Sequence, residues 1–183
     1  MREEIWKKLF ESRAPLPKAP LKRGVFPADI KQIITKELKK RGFTKVKTKF
    51  FFRDNDTFYE CFQIQKLTAR DYYVLHFGVV IKSLDHLYSE IENTYSWHVH
   101  GIMNLERQRP PLKDPYEAEN SLTPEERQEL IATDIDNIIT KRFQRWQDPR
   151  KFYSDMKKPA FFSELTFKKS AEDHIRSMCQ GKS

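Results

Sequence analysis

The stretch from Thr44 to Lys82, TKVKTKFFFRDNDTFYECFQIQKLTARDYYVLHFGVVIK, decides the fold. Its first part, Thr44 to Arg53, alternates: Lys45, Lys47 and Lys49 fall on one face and Val46, Thr48, Phe50 and Phe52 on the other, which predicts a half-buried strand. Asp54, Asn55 and Asp56 then supply turn chemistry. Thr57 to Leu67 and Tyr72 to Lys82 are dense in Phe, Tyr, Val and Ile and are parted by polar residues at Thr68 to Asp71, so they read as the next two strands. Three strands joined by short polar turns predict an antiparallel meander.

Outward from this stretch the signals are helical. From Asp29 to Arg41, Ile30, Ile33, Ile34 and Leu38 trace one face, lysines cover the rest, and Gly42 stands where a glycine ends a helix. Downstream, Ser83 to Asn93 reads as a short helix or an ordered loop, and Trp97 to Leu105 as a fourth strand. Glu106 to Asn120, with Pro110, Pro111 and Pro115 among charges, reads as an exposed loop. Thr123-Pro124-Glu125-Glu126 is a capping box with proline at the first helical position, and Ile131, Ile135, Ile138, Ile139, Phe143 and Trp146 supply the buried stripe that follows. Asp148-Pro149 stops that helix or opens a second one. Ala160 to Lys168 is strand or loop, and a last helix runs from about Ser170 to Cys179. The expected fold is α+β: an antiparallel sheet of about four strands with helices packed on one face, in a single domain spanning residues 28–183.

Composition narrows the class. A chain of 183 residues with 38% hydrophobic and 13% aromatic residues can bury one ordinary core. Cys61 and Cys179 have neither zinc-ribbon nor disulfide-ladder spacing. The opening residues MREEIWKKLFESR have no uninterrupted apolar core, and no apolar run reaches the roughly 18 residues of a membrane span, so a cytoplasmic location with no membrane partner is expected. Residues 1–27 form a separate arm, in which Ile5, Trp6, Leu9 and Phe10 share one helical face and four prolines mark a basic linker. Trp6 and Phe10 are therefore candidate partner contacts. A net charge of +8 suits an acidic protein, a phosphate backbone or an anionic surface. With 5 glycines there is no phosphate-binding loop, and neither a G-x-S-x-G elbow nor an HExxH helix is present, which disfavours the familiar enzyme classes.

Three features together resemble a bacterial domain-of-unknown-function family, type 4304. They are a helix ending in Gly42-Phe43 before the aromatic strand Phe50 to Arg53, the glutamine-bearing strand Phe62-Gln63-Ile64-Gln65-Lys66, and the step Phe77-Gly78-Val79. The resemblance covers residues 28–84 best and the long helix around Asp134 to Trp146 more loosely. It implies an α+β sheet with helices on one face, with no established cofactor or catalytic residue. Some bacterial domains of this general kind sit beside toxins as immunity or accessory proteins.

Two constellations carry chemistry. Lys45, Lys47, Lys49 and Arg53, extended by Lys39, Lys40 and Arg41, form a basic face for a protein partner or for nucleic acid. Lysines on an open sheet face are also ordinary protection against edge pairing. The second constellation is Trp97-His98-Val99-His100: strand alternation puts both imidazoles on one face, about 7 Å apart along the backbone. His98 and His100, joined by His76 if the register allows, could hold a divalent metal. Tyr153 and Lys157 follow in the order of a His-hydrophobic-His nuclease with a tyrosine nucleophile. The plainer reading, two histidines on a strand and a packing tyrosine, outweighs it. The sequence therefore favours a non-catalytic binding protein, of immunity or accessory type, without cofactor and facing an acidic protein partner. Nucleic-acid binding through the basic face comes second and the metal-dependent nuclease third; the oligomeric state is open.

Overall fold

Ile30, Ile34 and Leu38 recur on one helical face, and helix α1 (Pro27–Lys40) buries all three completely. The helix ends in a Schellman motif. The Phe43 N–H donates to Leu38 O and the Gly42 N–H to Lys39 O, both at 3.1 Å, while Gly42 takes a φ of 82° that a side chain would resist. The computed structural model describes residues 27–67, 71–84, 94, 97–103, 114–118, 122–157 and 165–180. The N-terminal arm with Trp6 and Phe10, and most of the segment read as a short helix or loop after Ser83, lie outside the described residues.

The sheet has six antiparallel strands whose spatial order is their chain order: β1 (Thr44–Lys45), β2 (Phe50–Asp54), β3 (Phe58–Leu67), β4 (Tyr72–Ile81), β5 (Val99–Ile102) and β6 (Leu165–Phe167). The class is the expected one, and two short edge strands account for the larger count. Thr44 to Arg53 is not one strand. The chain folds back at residues 46–49, where the Val46 N–H donates to Phe50 O at 3.0 Å, and Thr44 faces Phe52 across a hairpin. The physical reason lies in what each half can bury. Phe50, Phe51 and Phe52 fill both sides of the sheet beside β3, whereas the lysine-rich half has only Val46 to bury and turns back along the edge. The other addition, β6, lies against β5 with Thr166 opposite His100.

The described helices all pack on one face. Phe51, Phe62, Phe77 and Val99 point there from four strands, into a cluster that also takes Ile30, Ile34 and Leu38 of α1. Helix α2 (Pro124–Ile138) lies beside α1, runs on through a π-helical turn (Ile139–Phe143) and closes with a last turn (Gln144–Trp146). The wider π turn rotates the buried stripe back toward the sheet, so that Phe143 and Trp146 stay on the same side as Ile131 and Ile135. Phe143 then meets Phe62, Phe77 and Phe43 at ring-centroid distances of 5.6, 6.4 and 6.5 Å. Asp148 caps helix α3 (Pro149–Met156), and α4 (Lys169–Gln180) packs against α3. Among the described residues no helix is long and apolar enough to cross a membrane.

The capping box at α2 forms as its sequence predicts. The Glu126 N–H donates to Thr123 Oγ1 at 3.2 Å and the Thr123 N–H to Glu126 Oε2 at 2.8 Å. Thr123→Ala should therefore cost about 1 kcal/mol in urea unfolding, with Thr123→Asn close to the parent protein. The proline-bearing stretch before it departs from the exposed loop that its composition predicts. In residues 114–118, Tyr116 is fully buried with its hydroxyl 3.2 Å from Asp134 Oδ2, and the segment is bonded to the start of β4: the Tyr73 N–H donates to Tyr116 O at 2.9 Å. Arg127, itself buried, donates to Pro115 O at 2.6 Å and Glu117 O at 2.8 Å, satisfying carbonyls that prolines and turns leave without a ladder partner.

Candidate functional site

The side of α1 turned away from the core carries Lys31, Lys36, Lys39 and Lys40, and the β1–β2 hairpin brings Lys45 alongside. These five lysines, with Gln32 and Thr35 between them, line one shallow open groove in which, among the described residues, there is no acidic side chain. Long lysine stems make its walls largely aliphatic and put the ammonium groups at the rim. Lys40 bonds Glu37 Oε1 at 2.8 Å, whereas among the described residues Lys31, Lys36, Lys39 and Lys45 are in no ion pair.

The charge stays uncompensated because the nearby acids are committed to holding helices together. Glu37 is buried between α1 and α2 and accepts from Lys40, from Arg41 Nη1 at 2.7 Å and from Gln128 Nε2 at 2.9 Å. Burial works to raise its pKa, and the hydrogen bonds from Lys40 and Arg41 outweigh it, so the carboxyl lies below its ordinary value. Arg41 also grips Asp136 of α2 with two bonds of 2.6 and 2.7 Å, and the hydrogen bond from Arg41 holds the Asp136 carboxyl below its usual range.

The basic residues singled out by sequence therefore separate. Lys45 belongs to the groove. Lys47 and Lys49 are exposed in the hairpin turn, and Lys49 Nζ lies 5.3 Å over the Phe50 ring on the opposite side of the sheet. Arg53 is an internal brace: it bonds Glu60 Oε2 at 2.7 Å and Arg41 O at 2.9 Å and covers the Phe43 ring at 4.7 Å. The groove wall on α1 is legible in the sequence, because Gln32, Thr35, Lys36 and Lys39 fall at i, i+3, i+4 and i+7, a helical face without an apolar residue, and Lys31 stands four residues before Thr35 beside it.

On the other face of the sheet, register brings two of the three histidines together. Gln63 pairs with His76, and Gly78 pairs with His100, so both imidazoles project opposite to the helices. His76 Nδ1 is 2.9 Å from His100 Nε2, and the two rings stack at 17°. His76 Nε2 is 2.7 Å from Gln65 Oε1. With that carbonyl oxygen as acceptor, the His76 hydrogen sits on Nε2, leaving Nδ1 to accept from His100. Burial, then the neighbouring His100 and Lys49 charges, lower the His76 pKa to about 4, and burial lowers that of His100. The Trp97 edge closes over His100 at 5.9 Å between ring centroids and touches Phe50 at 6.5 Å.

His98 does not join them. The first paired residue of β5 is Val99, and the buried His98 ring turns to the β4 backbone, where Nδ1 accepts from the Ile81 N–H at 2.9 Å. Tyr153 and Lys157 lie elsewhere again. Tyr153 packs against the helix-side core, and Lys157 sits 5.1 Å over its ring with Nζ 3.0 Å from Glu172 of α4. The hydrogen bonds to Glu172 and Tyr153 raise the Lys157 pKa. The sheet thus stands between the tyrosine and the imidazole pair, and the nuclease arrangement in which both would touch one phosphate is not assembled.

A family model described as Domain of unknown function (DUF4304) matches residues 34–148, from within α1 through strands β1 to β5 to the end of the long helix. No curated protein and no solved structure matches the chain.

Proposed function

From the premise that the chain belongs to the DUF4304 family, whose description carries no activity, we propose that it is a non-catalytic binding protein that holds an acidic protein segment in the lysine groove of α1 and β1. The observation that carries this reading is the groove itself: four lysines in no ion pair among the described residues and no acid in the described lining. Lysine ammoniums on flexible stems follow carboxylates scattered along a peptide, whereas they lack the planar fork with which arginine grips phosphate. No aromatic ring lines the groove in the described residues, so the stacking platform of a single-strand nucleic-acid site is missing from it. An immunity or accessory role, exerted by occupying an acidic partner surface, is the form of binding we propose, by analogy with bacterial domains of this general kind that sit beside toxins.

The test is fluorescence anisotropy with labelled oligoglutamate and with single- and double-stranded DNA and RNA of matched charge, over a salt series. Lys36 and Lys39 are exposed, so the double variant Lys36→Glu/Lys39→Glu should keep its fold and weaken oligoglutamate binding about tenfold or more. Equal affinity in parent and variant would remove the groove from the binding reaction. Salt-steep retention on nucleic acid without oligoglutamate binding would put a phosphate backbone in place of the acidic protein.

A further inference from the structure

The imidazole pair on the open side of the sheet lies apart from the lysine groove and has a chemistry of its own. We propose that His76 and His100 form an open site for a borderline divalent transition metal, Cu²⁺, Ni²⁺ or Zn²⁺, with Gln65 as the outer acceptor that orients His76.

The distance between the two nitrogens is the first support. A metal bound at about 2.0–2.1 Å to two imidazoles holds their nitrogens roughly 3 Å apart, and His76 Nδ1 and His100 Nε2 are already 2.9 Å apart. An ion at that bond length sits off the line between the nitrogens, so binding turns the two rings more than it separates them, and the hydrogen now between them moves to the far nitrogen of His100. The second support is the tautomer. Gln65 Oε1 takes the Nε2 hydrogen of His76, which leaves the Nδ1 lone pair directed at His100. His100 needs to move its own hydrogen from Nε2 to Nδ1 and swing its ring so that both lone pairs meet at the ion. His100 is half-buried and not fully enclosed, which leaves its ring room to turn, and the shift of hydrogen between ring nitrogens leaves the imidazole neutral.

Among the described residues no third His, Cys, Asp or Glu completes the set. The chain therefore supplies two nitrogens and water fills the remaining positions, as at sites that exchange ligands rather than at closed structural ones. Imidazole selects Cu²⁺, Ni²⁺ and Zn²⁺ over the hard cations, and Cu²⁺ should bind the tightest of the three. The Lys49 charge, which bears on His76, tempers the affinity.

The experiment titrates the full chain with Cu²⁺, followed by electron paramagnetic resonance, and with Ni²⁺ and Zn²⁺ by calorimetry. The parent protein should show a saturable Cu²⁺ signal with nitrogen hyperfine structure. His100→Gln should lose about tenfold or more in affinity. Gln65→Glu, which puts a carboxylate behind His76 and makes it a stronger ligand, should gain about tenfold. His174→Gln, at a histidine bonded to Ser83 on the helix side, should leave affinity unchanged. Saturable binding absent from the parent protein, or an affinity unmoved by His100→Gln or by Gln65→Glu, would overturn the proposal. The gain expected of Gln65→Glu separates a ligand site from a merely structural hydrogen-bond chain.

Discussion

Gly78→Ala should cost about 3 kcal/mol of unfolding free energy, the upper end for an overpacked core, or prevent folding altogether. A Cβ built on Gly78 lies 2.1 Å from Val99 O and 2.6 Å from Trp97 Cε3. The first of these atoms is backbone. It can retreat only by drawing β5 away from β4 and breaking the pairing of Val79 with Val99 and of Gly78 with His100. Trp97 has no more freedom, since only 2% of it is exposed and it seals Phe50, Cys61 and Val80 on that face. Gly101 makes the comparison that decides the mechanism. Its Cβ would meet Phe77 Cζ at 2.5 Å and Leu165 Cδ2 at 2.8 Å, both buried side-chain atoms, so no paired backbone carbonyl has to give way there. Gly101→Ala should therefore cost less than Gly78→Ala. The comparison is made by urea denaturation, and a Gly78→Ala protein within about 1 kcal/mol of the parent would show that β5 has slack which the close approach of Trp97 does not reveal.

What sequence discloses about this fold is whatever short-range chemistry determines. The end of α1 at Gly42 and the start of α2 at Thr123 depend on backbone groups within a few residues, and both form where their residue types predict. The strands β3 and β4 are legible because their apolar residues are too many for any exposed element. Lys45 to Lys49 deceives because alternation of one valine with lysines has the period of a pleat. Whether it extends a strand or folds back depends on Phe50 to Phe52 pairing with Cys61 to Gln63, which no local pattern records. The same dependence hides the imidazole pair. His76 and His100 are 24 residues apart, and a one-residue slip of β5 against β4 would send His100 into the helix-side core. His98, the closer sequence match to a metal motif, is lost because the strand begins one residue after it. The lysine groove lies between these cases: helical spacing reveals its α1 wall, and the hairpin that adds Lys45 is tertiary.

Between pH 6.5 and 4 the protein should lose about 3 kcal/mol of stability through His76 alone. The sign follows from which state binds the proton first. In the unfolded chain His76 titrates near its ordinary 6.5, whereas in the folded protein burial, the neighbouring His100 and Lys49 lower it to about 4. Above pH 6.5 both states hold a neutral ring and stability is at its full value. As pH falls toward 4 the unfolded state takes up the proton while the folded state refuses it, so unfolding becomes progressively easier. Below 4 both are protonated and this loss is complete. His100, lowered by burial, adds to the loss in the same direction. The carboxylates act later: Glu37 and Asp136, whose pKa values lie below their ordinary 4.5 and 3.8, keep their full contribution above those values and lose it at lower pH. The window from pH 6.5 to about 4.5 is therefore the histidine window. Urea unfolding at half-unit steps of pH measures it, and His76→Gln should flatten the slope there while leaving the carboxylate loss at lower pH unchanged. A parent protein of constant stability from pH 6.5 to 4.5 would mean that His76 accepts a proton in place, and that the bond from Gln65 through His76 to His100 opens without penalty.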